Sequence, residues 1–288
     1  MGSSFIKPQS SYAGCCFIIP TKHAKSQAIM QPFWDILGAN VIEHIIDTDN
    51  FGTFTGEIER KFSALECAKS KCESSMKMLG YKAEYLLASE GSFGPHPLMP
   101  FMPCDHEILY FMDKKRNFQL QLSLLSEKTN YKMKEIESLE ELQLFASKAE
   151  FPSHALILRP MIDNPKIFKG LDTKESLDEA FKECKKLSNK IWVETDMRAH
   201  MNPSRMAVIN ELAIDLAERL TVCCPSCATP GWGKTNIEKG LKCGCCGLKT
   251  QMVEHEIFGC AKCEYKETKE RSDGIEYADP AQCQYCNP

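Results

Sequence analysis

The chain has 288 residues, 43% of them apolar and 26% charged, with a formal net charge of −4 at neutral pH. That length suits one large domain or two ordinary ones, and the composition is that of a globular protein. A slightly acidic chain has no general attraction for nucleic acid or anionic membrane, so nonspecific DNA binding and membrane attachment are not expected. No apolar run approaches the ~20 residues needed to span a bilayer. The start, Met1-Gly-Ser-Ser-Phe-Ile-Lys7, has no apolar stretch of the signal-peptide kind, and Ile6 stands where a myristoylation signal needs Ser or Thr.

Taken in order, residues 15–20 read as a short buried strand, followed by the turn Thr21-Lys-His-Ala-Lys25 and a helix over 25–37 that Gly38 ends. A second strand is expected over 41–46 and a polar loop over 47–56. A helix over 63–79 places Ala64, Leu65, Ala68, Cys72, Met76 and Leu79 near one face, and Gly80 stops it. Residues 85–89 read as a strand and 90–103 as a Gly/Pro-rich loop. Strands at 107–112 and 118–125 flank a charged turn, and 131–136 is expected to extend the same sheet. A helix over 138–147, a strand over 154–159, a helix through 174–187 and a strand over 190–199 follow. The last helix is well marked: Asn202 suits its N-cap, Pro203 its first position, and Met206, Ile209, Ala213, Leu216 and Leu220 its apolar stripe. It runs almost directly into the cysteine-rich tail, so the tail is expected to dock on the body.

Ten of the sixteen cysteines crowd into that tail. Eight form four Cys-x-x-Cys pairs: Cys224/Cys227, Cys243/Cys246, Cys260/Cys263 and Cys283/Cys286. Two cysteines three positions apart reach one ion when the turn between them is tight, and four such pairs point to tetrahedral zinc. The intervening loops of fifteen residues (228–242) and nineteen (264–282) suit two consecutive sites. Interleaving, first pair with third and second with fourth, is the alternative. Cys223 and Cys245 remain spectators. With all eight ligands in closed sites, the zinc is expected to be structural. The other six cysteines lie in ordinary segments, and a reducing cytoplasm fits the distribution. Residues 222–288 hold eight Lys and Arg against nine Asp and Glu, so the tail lacks the basic footprint of a nucleic-acid module.

Four stretches could carry chemistry. In Glu194-Thr-Asp-Met-Arg-Ala-His200, strand alternation would put Glu194, Asp196, Arg198 and His200 on one face, just before a helix start. Carboxylates suit Mg²⁺ or Mn²⁺ and Arg suits phosphate, although a solvated face uses the same residue types. Glu90-Gly-Ser-Phe-Gly-Pro-His96 pairs an acid at a strand end with glycines that admit a ligand; a rigid surface turn would look alike. Thr21, Lys22 and Lys25 at a helix start could hold an anion, without the glycines of a phosphate loop. Glu57, Glu59 and Glu66 could supply metal ligands or only favour a helix start.

Three of these elements resemble the inosine/xanthosine triphosphate pyrophosphatase-like α/β hydrolases. Thr21 and Lys25 match their strand–turn–helix start, Glu66-Cys-Ala-Lys-Ser-Lys71 their Glu-x-Ala-x-x-Lys helix, and Glu90-Gly-Ser92 their acidic turn after a central strand. The resemblance implies phosphate contacts from Thr21, Lys25 and Lys71 and a metal or water held by Glu66 and Glu90. Over nearly the whole length, the chain resembles an uncharacterised bacterial domain-of-unknown-function family. That pattern comprises Gly52–Glu57, Glu90–Pro97, Glu194–Pro203 and a Cys-rich end at Cys283–Pro288.

The expected fold is therefore α/β: a mixed sheet with flanking helices over 12–221, then a double zinc-ribbon module over 222–288 with four cysteines per site. The expected function is metal-dependent hydrolysis of a nucleotide or another phosphoanhydride. Glu90, Glu194, Asp196 and His200 would be catalytic, and Thr21, Lys22, Lys25, Lys71 and Arg198 would bind substrate. Glu66 would join the metal ligands, with two structural Zn ions and Mg²⁺ or Mn²⁺ as cofactors. The alternative is a non-catalytic zinc-ribbon protein that binds a protein or a specific nucleic acid.

Overall fold

A computed structural model describes residues 10–48, 61–163 and 165–288. The expected polar loop from residue 49 onward, with Glu57 and Glu59, lies outside them. Strands β1 (Cys16–Pro20), β2 (Asn40–His44), β3 (Tyr85–Pro95), β4 (Pro103–Asp113) and β5 (Phe118–Ser126) form one sheet in the order β2-β1-β3-β4-β5. The first three run parallel, and β4 and β5 are added antiparallel. Helices α1 (Ser26–Leu37) and α5 (Pro203–Thr221) cover one face, and α2 (Ala64–Met78) covers the other. Strand β3 is therefore apolar on both sides: Tyr85 and Leu87 join the α1/α5 core, and Leu86 and Ala88 join the α2 core.

The helix ends follow from local chemistry. Ser63 and Glu66 form a reciprocal capping box on α2, and Gly38 closes α1 in the left-handed region at φ 66°. Asn202 caps α5 by accepting from the Arg205 amide at 3.0 Å, with Pro203 at the first position. Pro32 lies inside α1 and cannot donate to the carbonyl four residues back, that of Ala28. Asn210 of α5 supplies the missing donor, its Nδ2 lying 2.7 Å from the Ala28 oxygen. The helix defect thus becomes a specific tie between the two helices on that face.

The chain departs from the single expected sheet after β5. Strand β6 (Met133–Ile136) does not extend the first sheet but opens a second one, with β7 (Leu156–Pro160), β8 (Phe168–Leu171) and β9 (Ile191–Thr195) in the order β6-β9-β7-β8. All its neighbours are antiparallel. Helices α3 (Leu139–Lys148) and α4 (Lys174–Leu187) pack on it around a separate core that includes Leu142, Leu156, Leu158, Phe181, Ile191 and Val193. No sequence signal marks β8, which is four residues long and contains a glycine. The second unit is inserted between β5 and α5, and a buried polar seam closes it onto the first. Asn202 Nδ2 donates to Asn130 Oδ1 at 2.8 Å, Asn130 Nδ2 to the Ala149 carbonyl at 2.9 Å, and Arg205 to the Met197 carbonyl at 2.5 Å.

In the tail, β10 (Gly233–Lys239), β11 (Val253–Gly259) and β12 (Lys266–Glu270) form an antiparallel sheet. The tail meets the body directly. Gly231 sits against Leu120, Phe118 and Leu220, its carbonyl accepts from Arg219 at 3.0 Å, and Ala261 packs on the main core. Among the described residues, no helix is long and apolar enough to cross a membrane.

Candidate functional site

The eight ligand cysteines gather into two tetrads, Cys224/Cys227/Cys260/Cys263 and Cys243/Cys246/Cys283/Cys286, with all sulfurs of a group within 4.8 Å of one another. Individual Sγ–Sγ separations are 3.8 Å (Cys224–Cys263), 3.6 Å (Cys227–Cys260), 3.9 Å (Cys243–Cys286) and 3.6 Å (Cys246–Cys283). A tetrahedron with Zn–S bonds of ~2.3 Å has edges of about 3.8 Å, so each group could hold one zinc ion. Backbone amides turn toward the sulfurs: Cys245 N lies 3.4 Å from Cys243 Sγ, and Lys262 N lies 3.3 Å from Cys260 Sγ. The Cys246 amide, and then that of Cys245, draw the Cys243 thiol down to about 7. Hydrogen bonding with Thr229 draws the Cys227 thiol down to about 6.

The consecutive pairing is thereby corrected to the interleaved one, and strand register is the reason. Gly233 at the start of β10 pairs with Gly259 at the end of β11, so the pair before β10 meets the pair after β11. The second pair lies in the β10–β11 connection at the opposite end of the hairpin. Strand β12 runs back to that end, where Cys243 bridges to Ala278 and the last pair closes on the second. Loop length carries no information about this crossing. Cys223 and Cys245 stand outside both tetrads.

The body holds a second concentration of chemistry where β3 outruns β1. Phe17 and Ile18 pair with Tyr85 and Leu86, so β1 ends before β3 reaches Ser89. Beyond that end, buried Lys25 donates from Nζ to the Ser89 carbonyl at 2.5 Å. On the α2 face, Lys71 forms an ion pair with Glu90. On the α1/α5 face, Arg205 Nε donates to Glu107 Oε1 at 2.6 Å, and Ser89 Oγ lies 3.2 Å from Glu107 Oε2. The guanidinium also sits 5.1 Å over the Phe93 ring. Gly91 is required here, because a Cβ would overlap Glu107 Oε1 and Arg205 Nη2. Burial, and then Arg205, bring the Lys25 ammonium down to about 7. Burial alone would raise Glu90, but Lys71 and Lys25 outweigh it and hold the carboxyl below its ordinary value.

The expected loop over 90–103 is thus strand in its first part and loop only over 96–102: β3 continues to Pro95 and pairs with β4 from Glu90↔Ile108 to Pro95↔Pro103. Glycines and prolines masked the alternation. His96 ends the strand, and its Nδ1 accepts from the Leu98 and Met99 amides, both at 3.2 Å.

The other expected site residues divide between this cluster and elsewhere. Thr21 is buried, its Oγ1 accepting from the His23 amide at 3.1 Å, whereas Lys22 turns out to Asp47 at 3.1 Å. Glu66 is exposed and engaged in the capping box of α2. The segment 194–200 does not share one strand face, because β9 ends at Thr195. Glu194 lies on the second sheet, 3.3 Å from Trp192 Nε1 and 3.6 Å from Arg159, and burial raises its carboxyl. Asp196 is fully buried, paired with Arg198 and accepting from the Gly170 amide at 3.1 Å. Among the described residues, only the two cysteine tetrads gather three or more ligands, so the carboxylate set Glu66, Glu90, Glu194 and Asp196 is not brought together.

His200 does reach the cluster. Its ring stacks on His23, with centroids 5.1 Å apart and planes 5° apart. Burial first, then Lys25, His200, Arg198 and Arg205, bring His23 down to about 3, so it is neutral at physiological pH; burial, then Arg198, lowers His200 as well.

Sequence reasoning missed Asp105, Glu107 and Arg205. The signal for each was a charge in phase with a buried stripe: 105 and 107 alternate with Leu109 and Phe111 on β4, and Arg205 precedes Ile209 by one turn. No curated protein matches the chain. Residues 71–288 match a family profile from within α2 to the last cysteine knuckle, and on that match the chain belongs to the family described as Domain of unknown function (DUF6671).

Proposed function

We propose that the α/β body hydrolyses a phosphoanhydride, of a nucleotide or another phosphorylated small molecule, and that the cysteine tetrads hold structural zinc. The observation that carries this reading is the convergence of Lys25, Lys71 and Glu90 just past the end of β1, where open α/β sheets take their ligands. Lys25 and Lys71 offer positive charge to phosphate oxygens, with neutral His23 and its stacked partner His200 beside them. Mg²⁺ or Mn²⁺ would arrive with the substrate phosphates and need only one or two protein carboxylates, of which Glu90 is the best placed. The resemblance of Thr21, Lys25, Lys71 and Glu90 to the pyrophosphatase motifs supports the same assignment. Family membership brings no activity with it, so the reading rests on the site.

The test is turnover by the zinc-loaded full chain, with Mg²⁺ or Mn²⁺, across canonical and deaminated nucleotides and simple polyphosphates. Glu90→Gln and Lys25→Met should lower kcat at least ~100-fold with zinc content unchanged. No turnover of any of these compounds, together with no thermal shift by them, sinks the reading. A second reading, a non-catalytic module for a protein or specific RNA, draws on the tail side chains Tyr277 (61% exposed) and Tyr285 (74% exposed). RNA or peptide binding that Tyr277→Ala and Tyr285→Ala abolish, in a chain inert to phosphoanhydrides, would favour it.

A further inference from the structure

Asp105 has no role in the chemistry just described, yet it is one of the most unusual groups in the body. It is fully buried, and neither carboxylate oxygen has a hydrogen-bond partner. It sits two residues before Glu107 on the same face of β4, opposite Phe93 on β3. Glu107 has both oxygens occupied, one by Arg205 and one by Ser89. The charged groups around Asp105 are Glu107 on its own strand, Arg205 from α5 and Lys25 from the turn after β1; the Cys104 thiol lies on the other strand face. An ionised carboxylate without donors in such a place is costly, whereas a neutral carboxyl is tolerated. Arg205 also belongs to the seam between the two units, bonded to Glu107 of the first sheet and to the Met197 carbonyl just past the second.

We propose that Asp105 is a proton-gated latch. With its proton it leaves Arg205 to Glu107 and Met197; without it, it competes with Glu107 for the same guanidinium and loosens the joint between the sheets. Burial, and then Glu107, push its carboxyl up to about 8 against the opposing pull of Arg205 and Lys25. The sign follows. A carboxyl raised in the folded state binds its proton more tightly there than in the unfolded chain. Its contribution to stability is therefore complete below the ordinary carboxyl range and is lost as pH rises from about 4 to about 8. The latch concerns the fold, and it stands or falls independently of the hydrolase reading.

The experiment is thermal unfolding of the zinc-loaded full chain between about pH 5 and about pH 9, for the native chain, Asp105→Asn and Glu107→Gln. The native chain should lose up to about tenfold in folding equilibrium constant per pH unit relative to Asp105→Asn, levelling above about pH 8. Parallel profiles for the two proteins would overturn the proposal. Should Asp105→Asn fail to fold, infrared difference spectra of the native chain decide. A protonated-carboxyl band present near neutral pH must bleach on alkalinisation, and Glu107→Gln must weaken it at neutral pH, because Asp105 then takes Arg205 and ionises. No bleaching, or an unchanged band in Glu107→Gln, overturns it.

Discussion

The tail and the body solve the problem of holding charged groups in opposite ways. In the tail, each ligand pair is written locally, three residues apart in a tight knuckle, and only the pairing of knuckles depends on the fold. In the body, Lys25, Lys71, Glu90, Glu107 and Arg205 come from five separate elements, and no two share a local motif. In the tail, four sulfurs at a time are spaced so that one cation could lie among them. The body's charges neutralise one another and are buried as they do so. A site of the first kind announces itself by spacing; one of the second kind shows only as charges standing where apolar residues belong.

The largest effects should come from the metal. Removing one ligand, as in Cys224→Ser, should release one zinc of two and unfold that end of the tail, since structural zinc contributes roughly 10–16 kcal/mol to such modules. Thiol labelling gives the sharper result. Interleaving predicts that Cys224→Ser exposes Cys260 and Cys263 to alkylation while Cys243 and Cys246 stay protected, and the reverse pattern would restore the consecutive pairing.

The body should respond more mildly to loss of a charge. Arg205→Met leaves Glu107 buried without its cation and should cost about 3–5 kcal/mol in denaturant unfolding. A cost below ~1 kcal/mol would mean that the ion pair is no more than an alternative to apolar packing there. The smallest effect should belong to Asn210→Ala, which strips the donor from the Ala28 carbonyl opposite Pro32 and should cost about 1 kcal/mol. Restoring the helix bond with Pro32→Ala in the same chain should recover part of it, and failure to do so would break the link between the proline and the asparagine.

Much of the element order was legible because period and punctuation agree with the final packing. Helix α5 shows this best, with Asn202, Pro203 and the Ile209–Leu216 stripe all in place. The continuation of β3 was hidden because Gly91 and Gly94 contribute no side chain to alternation, and Gly91 is glycine because Glu107 and Arg205 fill its space. The second sheet was hidden because β6 reads as a strand whichever sheet it joins; its partner, β9, lies far along the chain (Met133↔Glu194). Glu194 and Asp196 looked like a catalytic face because alternation was carried past Thr195, where the strand stops. The cysteine ligands were fully legible, but their pairing was set by the Gly233↔Gly259 register, which no spacing records.

The seating of Ala261 on the main core would give a metal held by the first tetrad a reach beyond the tail. Ala261 lies between Cys260 and Cys263, so the first tetrad and the apolar body share an interface. A zinc ion bound there stabilises whatever it is coupled to by an amount that grows with the logarithm of free zinc. Among the described residues, none of the second tetrad's knuckles packs on that core. Metal scarcity would therefore act through one tetrad as a control on how long the body survives turnover, and through the other only on the tip of the tail.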